Sequence, residues 1–117
     1  MSLLSGWEGD LHEFRIQAVK LVPQDYGRPP TVEPQSEVED ISGQEQSTKE
    51  AIAAGVEAGR VFMRLYSGPD LDPNITEKHT LRMWSADGTS MGDWNLRSRR
   101  EFRGEHIELE ADKLNTQ

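Results

Sequence analysis

The sequence contains no cysteine, which excludes a disulfide framework and any thiolate metal site. Its apolar runs are only a few residues long, far short of the roughly 20 that cross a bilayer as a helix. Bases are the minority: 13 Lys and Arg against 21 Asp and Glu leave a formal net charge of -8. Broad binding to DNA phosphate or to an anionic membrane needs cationic surface, so this balance argues against both. It does not exclude a protein past which DNA moves without being held. Apolar residues are also scarce, at 34% of 117 residues, with a mean hydropathy of -0.74. One domain of this size buries one modest core, and such a chain gains stability by covering further surface with a partner. The opening stretch, Met1 to Trp7, has neither a basic region nor a long apolar core, so it is not read as a signal peptide.

What is present reads mostly as strand. From His12 to Val22, Phe14, Ile16 and Ala18 alternate with Arg15 and Gln17, and the apolar phase then moves to Val19 and Leu21. A one-residue phase shift predicts a bulge, as where a sheet curls into a barrel. Pro23 ends the strand, and Gln24 to Pro30 is turn chemistry. A weaker strand is expected at Glu37 to Ile41, closed by Ser42 and Gly43. Ser47 and Glu50 have capping-box spacing before Ile52, Ala53 and Val56, which predicts a short helix or a loop with helical tendency, stopped by Gly59. Further strands are expected at Arg60 to Tyr66, Thr80 to Trp84, Asp93 to Ser98 and His106 to Asp112, separated by turn signals. The expected class is mostly β: a small barrel or sandwich of about six short strands, with a long crossover carrying one short helix. The expected layout is an N-terminal docking arm over 1–11, one β-barrel domain over 12–114 with an inserted loop or helix at 43–59, and a tail at 115–117.

Signals for catalysis are weak. His12, His79 and His106 are far apart, and there is no HExxH, P-loop, GxGxxG or GxSxG spacing. Each histidine reads as a surface or partly packed residue beside a strand edge. Asp70-Leu71-Asp72 begins like a calcium loop, but Pro73 and Asn74 break the pattern, so a capped turn is expected. Glu108 and Glu110 lie two apart on one strand. Paired carboxylates do acid–base work in many enzymes, but an alternating solvated face accounts for these. No catalytic residue, cofactor or metal ligand is therefore expected.

Charge is more informative. Residues 33–57 carry seven acids and one base, a net of -6. Arg97, Arg99, Arg100 and Arg103 crowd the last hairpin. Either feature alone is explained by a solvated loop or turn. Together they suggest a polarised molecule, and identical copies of such a domain can meet head to tail in a ring. Acidic loops facing an axial hole repel a polyanion instead of binding it. Leu3, Leu4 and Trp7 are the apolar residues of an otherwise small and polar opening stretch, candidates for docking on a neighbour.

The order of these features resembles the head closure, or head-to-tail stopper, proteins of long-tailed bacteriophages. Phe14 to Val22 runs into Asp25-Tyr26-Gly27, like the family's D-x-G turn. The Val38 to Gly43 segment leads to a polar stretch with Ser47 and Glu50. Arg60 to Tyr66, then Gly68 to Asp72, is similar to the family's strand and aspartate–apolar–aspartate corner. Asp87-Gly88, then Gly92 to Leu96, is similar to its G-x-x-Y-x-V strand, with Trp94 in the place of Tyr. A charged turn and Ile107 to Ala111 complete the likeness, which spans roughly residues 12–112.

The resemblance implies a barrel subunit of a ring, a hexamer by expectation, stacked between the portal–adaptor assembly and the tail in the virion neck and assembled in the host cytoplasm. It implies no enzymatic activity. The family's crossover loop projects toward the DNA channel and helps retain packaged DNA; its counterpart here is about Gly43 to Gly59, with Glu45, Glu50 and Glu57 as channel-loop candidates. Arg97, Arg99, Arg100 and Arg103 are the candidate subunit-interface residues, and Leu3, Leu4 and Trp7 the candidate docking residues. DNA would pass without sequence-specific contact, and no membrane is involved. Three alternatives stay open: an adaptor or tail-terminator subunit of the same neck, a small acidic binding or inhibitor module, and a hydrolase with an unfamiliar site.

Overall fold

The computed structural model describes residues 11–46 and 59–114, together with the single positions 53 and 55. Seven strands run in chain order: β1 (His12–Val22), β2 (Thr31–Pro34), β3 (Glu39–Glu45), β4 (Arg60–Ser67), β5 (Thr80–Ser85), β6 (Ser90–Phe102) and β7 (His106–Leu114). Their spatial order is β2-β1-β3-β4-β7-β6-β5, with β5 returning to pair with β1. All pairings are antiparallel. The result is a closed six-stranded barrel with β2 as an extra strand on the edge of β1. The expected barrel class is therefore observed, with one strand that alternation did not announce.

Closure follows from the apolar phase of each strand. Phe14, Ile16 and Ala18 face Ile41, Met63, Leu65, Leu81, Met83, Trp94, Leu96, Ile107, Leu109 and Ala111 in one buried cluster. Alternate positions point outward because side chains change face at every residue of a strand. Leu71 and Ile75, from the β4–β5 loop, complete the same cluster. The loop thus plugs the barrel instead of lying over its outside.

Three sequence expectations are corrected in detail. First, β1 carries no bulge: its register with β5 is continuous from Phe14 to Val19. The phase shift marks a change of partner on the other edge, where His12–Ile16 pair with β3 and Val19–Val22 pair with β2. In the gap, the Ala18 N–H donates to the Ser36 hydroxyl at 2.9 Å and the Gln35 N–H donates to the Ala18 carbonyl at 2.8 Å. Both backbone groups of Ala18 are thereby satisfied without a ladder.

Second, the irregularities fall on β6, the longest strand. One extra β6 residue lies opposite the Arg82–Trp84 step of β5, where Gly92 takes a φ of 82°. Only glycine adopts such a φ without steric cost. Another lies at Arg97, between Leu96 and Ser98. Third, Gly43 does not close its strand. It is a buried residue of β3 directly opposite Leu65. A Cβ there would overlap Leu65 Cδ2 and stand 2.9 Å from the Arg64 carbonyl oxygen, so glycine lets β3 and β4 close over a core leucine.

Candidate functional site

Two outward surfaces stand apart from the core. The first is the outer face of β4, β7 and β6. Outward alternation on β7 makes a column of His106, Glu108, Glu110 and Asp112, and register sets arginines beside it. Asp112 is only 1% exposed. Arg60 donates to one of its carboxylate oxygens and Arg97 to the other, each at 3.0 Å, and the Asn95 amide adds a bond at 3.4 Å. Burial alone would raise the Asp112 carboxyl pKa, but the bonds from Arg60, Arg97 and Asn95 together hold it below its ordinary value. Next along the column, Arg64 bridges to Glu110 at 3.2 Å and the Ser98 hydroxyl donates to the same carboxylate at 3.4 Å. Glu108 meets His106 Nε2 at 3.0 Å, and the His106 ring stacks on Phe102. A cleft of about 500 Å³ lies beside Asp112, with Arg60, Asp93, Trp94 and Lys113 among its lining. Its charges are already engaged: Asp93 pairs with Arg82 at 2.8 Å, and Lys113 donates to the Met91 carbonyl at 2.6 Å.

The second surface is a two-stranded ribbon. Beyond Val19, β1 leaves β5 and pairs with β2 alone, through Lys20, Leu21 and Val22. Strand alternation puts the opposed pairs Val19–Pro34 and Leu21–Val32 on one face, and Lys20–Glu33 and Val22–Thr31 on the other. Leu21 is 38% exposed and Val32 36%, and Tyr26 at the tip is 97% exposed. Leu11 and Val38 are the other large exposed apolar residues among those described. Pro30 precedes the short edge strand β2 and Pro34 is its last residue, and proline discourages further strand pairing along that edge.

The arginine group does not act as one patch. Arg97 is tied to Asp112. The bulge at Arg97 reverses the alternation that follows, so Arg99 stands opposite the core residue Leu109. Its guanidinium donates to the carbonyls of Asp72 at 2.7 Å, Ile75 at 3.1 Å and Leu71 at 3.2 Å, and to Glu101 at 2.9 Å. The Arg99 N–H also donates to Glu77 at 3.1 Å. Only 9% of the Arg99 side chain is exposed, so it pins the plug loop from within its own chain. Arg100 lies over the Phe102 ring and is exposed, as is Arg103 in the turn.

Glu45 is exposed at the end of β3, opposite Met63. Glu50 and Glu57, the capping box at Ser47, and the candidate docking residues Leu3, Leu4 and Trp7 lie outside the described residues. Of the acid-rich stretch, Glu33, Glu37, Asp40 and Glu45 are exposed, with Asp40 bridged to Arg15 at 3.6 Å. Asp72 caps its turn: its carboxylate accepts from the Asn74 N–H at 2.8 Å and from the Glu37 N–H at 3.2 Å. Among the described residues, no three His, Asp or Glu are grouped to hold a metal ion.

Sequence reasoning missed the Asp112 hub. The signal was available, since Asp112 continues the outward column of Glu108 and Glu110, but its burial depends on arginines from two other strands. The ribbon was missed because β2 has no alternation to read. No family model, curated protein or solved structure matches the chain.

Proposed function

We propose that this chain is a structural assembly domain, one subunit of a ring in a phage head-to-tail connector, acting through shape and charge and not through catalysis. The observation that carries this reading is the ribbon. The barrel closes on itself, yet β1 and β2 run past it and leave Leu21, Val32 and Tyr26 exposed. Apolar groups concentrated on a projecting element are a feature of surfaces made to be covered. The outer face of β4, β7 and β6, laced with ion pairs, suits a wet contact between copies, where charge sets orientation more than affinity. In this reading Arg100 and Arg103 meet the acidic β2–β3 stretch of the next copy, Glu45 and the residues that follow it turn toward the central channel, and the ring joins the portal or adaptor to the tail. An adaptor or tail-terminator place in the same neck uses the same surfaces.

A second reading, a monomeric acidic module that masks a basic partner, is favoured by the exposed Glu33, Glu37, Asp40 and Glu45. Native mass spectrometry of the full chain, with and without Arg100→Glu and Arg103→Glu, separates the two. The ring reading expects a closed multimer, by expectation a hexamer, which the double reversal weakens while the thermal melt stays unchanged. A wild-type chain that stays monomeric, or a multimer indifferent to the reversal, counts against it.

A further inference from the structure

We infer that the apolar face of the β1–β2 ribbon is the seat for the Leu3–Trp7 segment of a second copy of the chain. The inference rests on the ring reading and names the contact that would hold neighbouring subunits. The ribbon has one apolar face, exposed at Leu21, Val32 and Pro34 with the buried Val19 at its base, and its other face carries the Lys20–Glu33 pair. Pro30 just before β2 and Pro34 at its end turn the contact away from edge pairing and toward this face. The occupant must therefore offer apolar side chains and does not have to be a strand. Leu3, Leu4 and Trp7 meet that need in an otherwise small and polar stretch of this sequence.

Reach decides that the occupant comes from another copy. The segment joins the barrel at Leu11, at the opposite end of β1 from the ribbon. Leu21 is ten residues further along β1, a separation of roughly 33 Å at the rise of a strand. Trp7 is four residues before Leu11 and extends at most about 14 Å from it. Even Leu3, fully extended, reaches only about 28 Å, short of the Leu21–Val32 pair. A chain therefore cannot lay its own Trp7 on its own ribbon, whereas a neighbour placed head to tail presents its Leu11 end there. Such a contact is heterologous, with different surfaces on each side, which is the kind that propagates around a ring.

The absence of native cysteine makes the test direct. Full-length chains carrying Leu4→Cys are mixed with mass-tagged chains carrying Val32→Cys and oxidised, with Ser90→Cys on the barrel as control. The inference expects a mixed covalent dimer of Leu4→Cys with Val32→Cys well above the control. It also expects Leu21→Ser with Val32→Ser to weaken self-association by at least about tenfold without lowering the melting temperature. A dimer of two Val32→Cys chains alone would place ribbon on ribbon and overturn the inference. Closure within one chain carrying both cysteines, without the mixed dimer, would overturn it as well. If native mass shows a multimer and no mixed dimer forms, the inference fails and the ring reading stands. If the chain stays monomeric throughout, both fail.

Discussion

Replacing Arg99 by alanine should damage the fold of the isolated chain, whereas the same change at Arg100 or Arg103 should not. Arg99 donates to three carbonyls of the plug loop, those of Leu71, Asp72 and Ile75, at 2.7 to 3.2 Å. Leu71 and Ile75 are themselves buried in the barrel core. A hydrogen bond from a charged donor contributes about 1.5 to 3 kcal/mol. The three share one guanidinium and one loop, so they do not add, and water replaces part of what is lost. We expect Arg99→Ala to cost about 3 kcal/mol, which for a domain of this size lowers Tm by about 12 °C. Arg99→Lys keeps the charge but loses the planar fork, and should cost about half as much. Arg100→Ala and Arg103→Ala, on exposed side chains, should stay within about 0.5 kcal/mol of the wild type. Urea unfolding followed by tryptophan fluorescence measures all four, with the m value checking that the unfolded states are alike. An Arg99→Ala chain within about 0.5 kcal/mol of the wild type would refute the assignment of Arg99 to the plug loop.

Two further changes probe the wall of the barrel. Asp112→Asn leaves Arg60 and Arg97 without their shared carboxylate and should cost about 2 kcal/mol at pH 7, since both arginines keep some access to water. The wild-type carboxyl lies below its ordinary value. Its contribution is therefore fully present above the unfolded value of about 3.9 and is lost as pH falls from there through the folded value. Unfolding curves from pH 7 downward should show wild type and variant converging in strong acid; a gap that widens there would contradict the sign. Gly43→Ala puts a methyl group against Leu65 Cδ2 and the Arg64 carbonyl and should destabilise by about 2 kcal/mol, read as a lower urea midpoint. An unchanged midpoint would mean that β3 and β4 are not in this register.

Strands with one buried face were legible from the sequence. Alternation placed β1, β4, β5 and β7 to within a few residues, because every second side chain is committed to the core. What could not be read depends on partners. Thr31–Pro34 is exposed at all four positions, so only its pairing with β1 makes it a strand. The consecutive buried residues Ala18 and Val19 looked like a bulge because sequence records burial, not which strand lies alongside. Gly43 looked like a stop because the reason for a glycine there is the position of Leu65 on another strand. The arginine group was visible as a group, but the Arg97 bulge separates its members: Arg99 turns in, and Arg100 and Arg103 stay out. A spacing argument that assumes unbroken alternation cannot sort them.

Cryo-electron microscopy of the full chain, alone and mixed with its neck partners, tests the central claim most directly. The account predicts closed rings of barrels in which the acidic stretch that begins at Glu45 lines the hole and each ribbon lies against the next subunit. Particles that never exceed one copy, or rings whose acidic stretch faces outward, would contradict it.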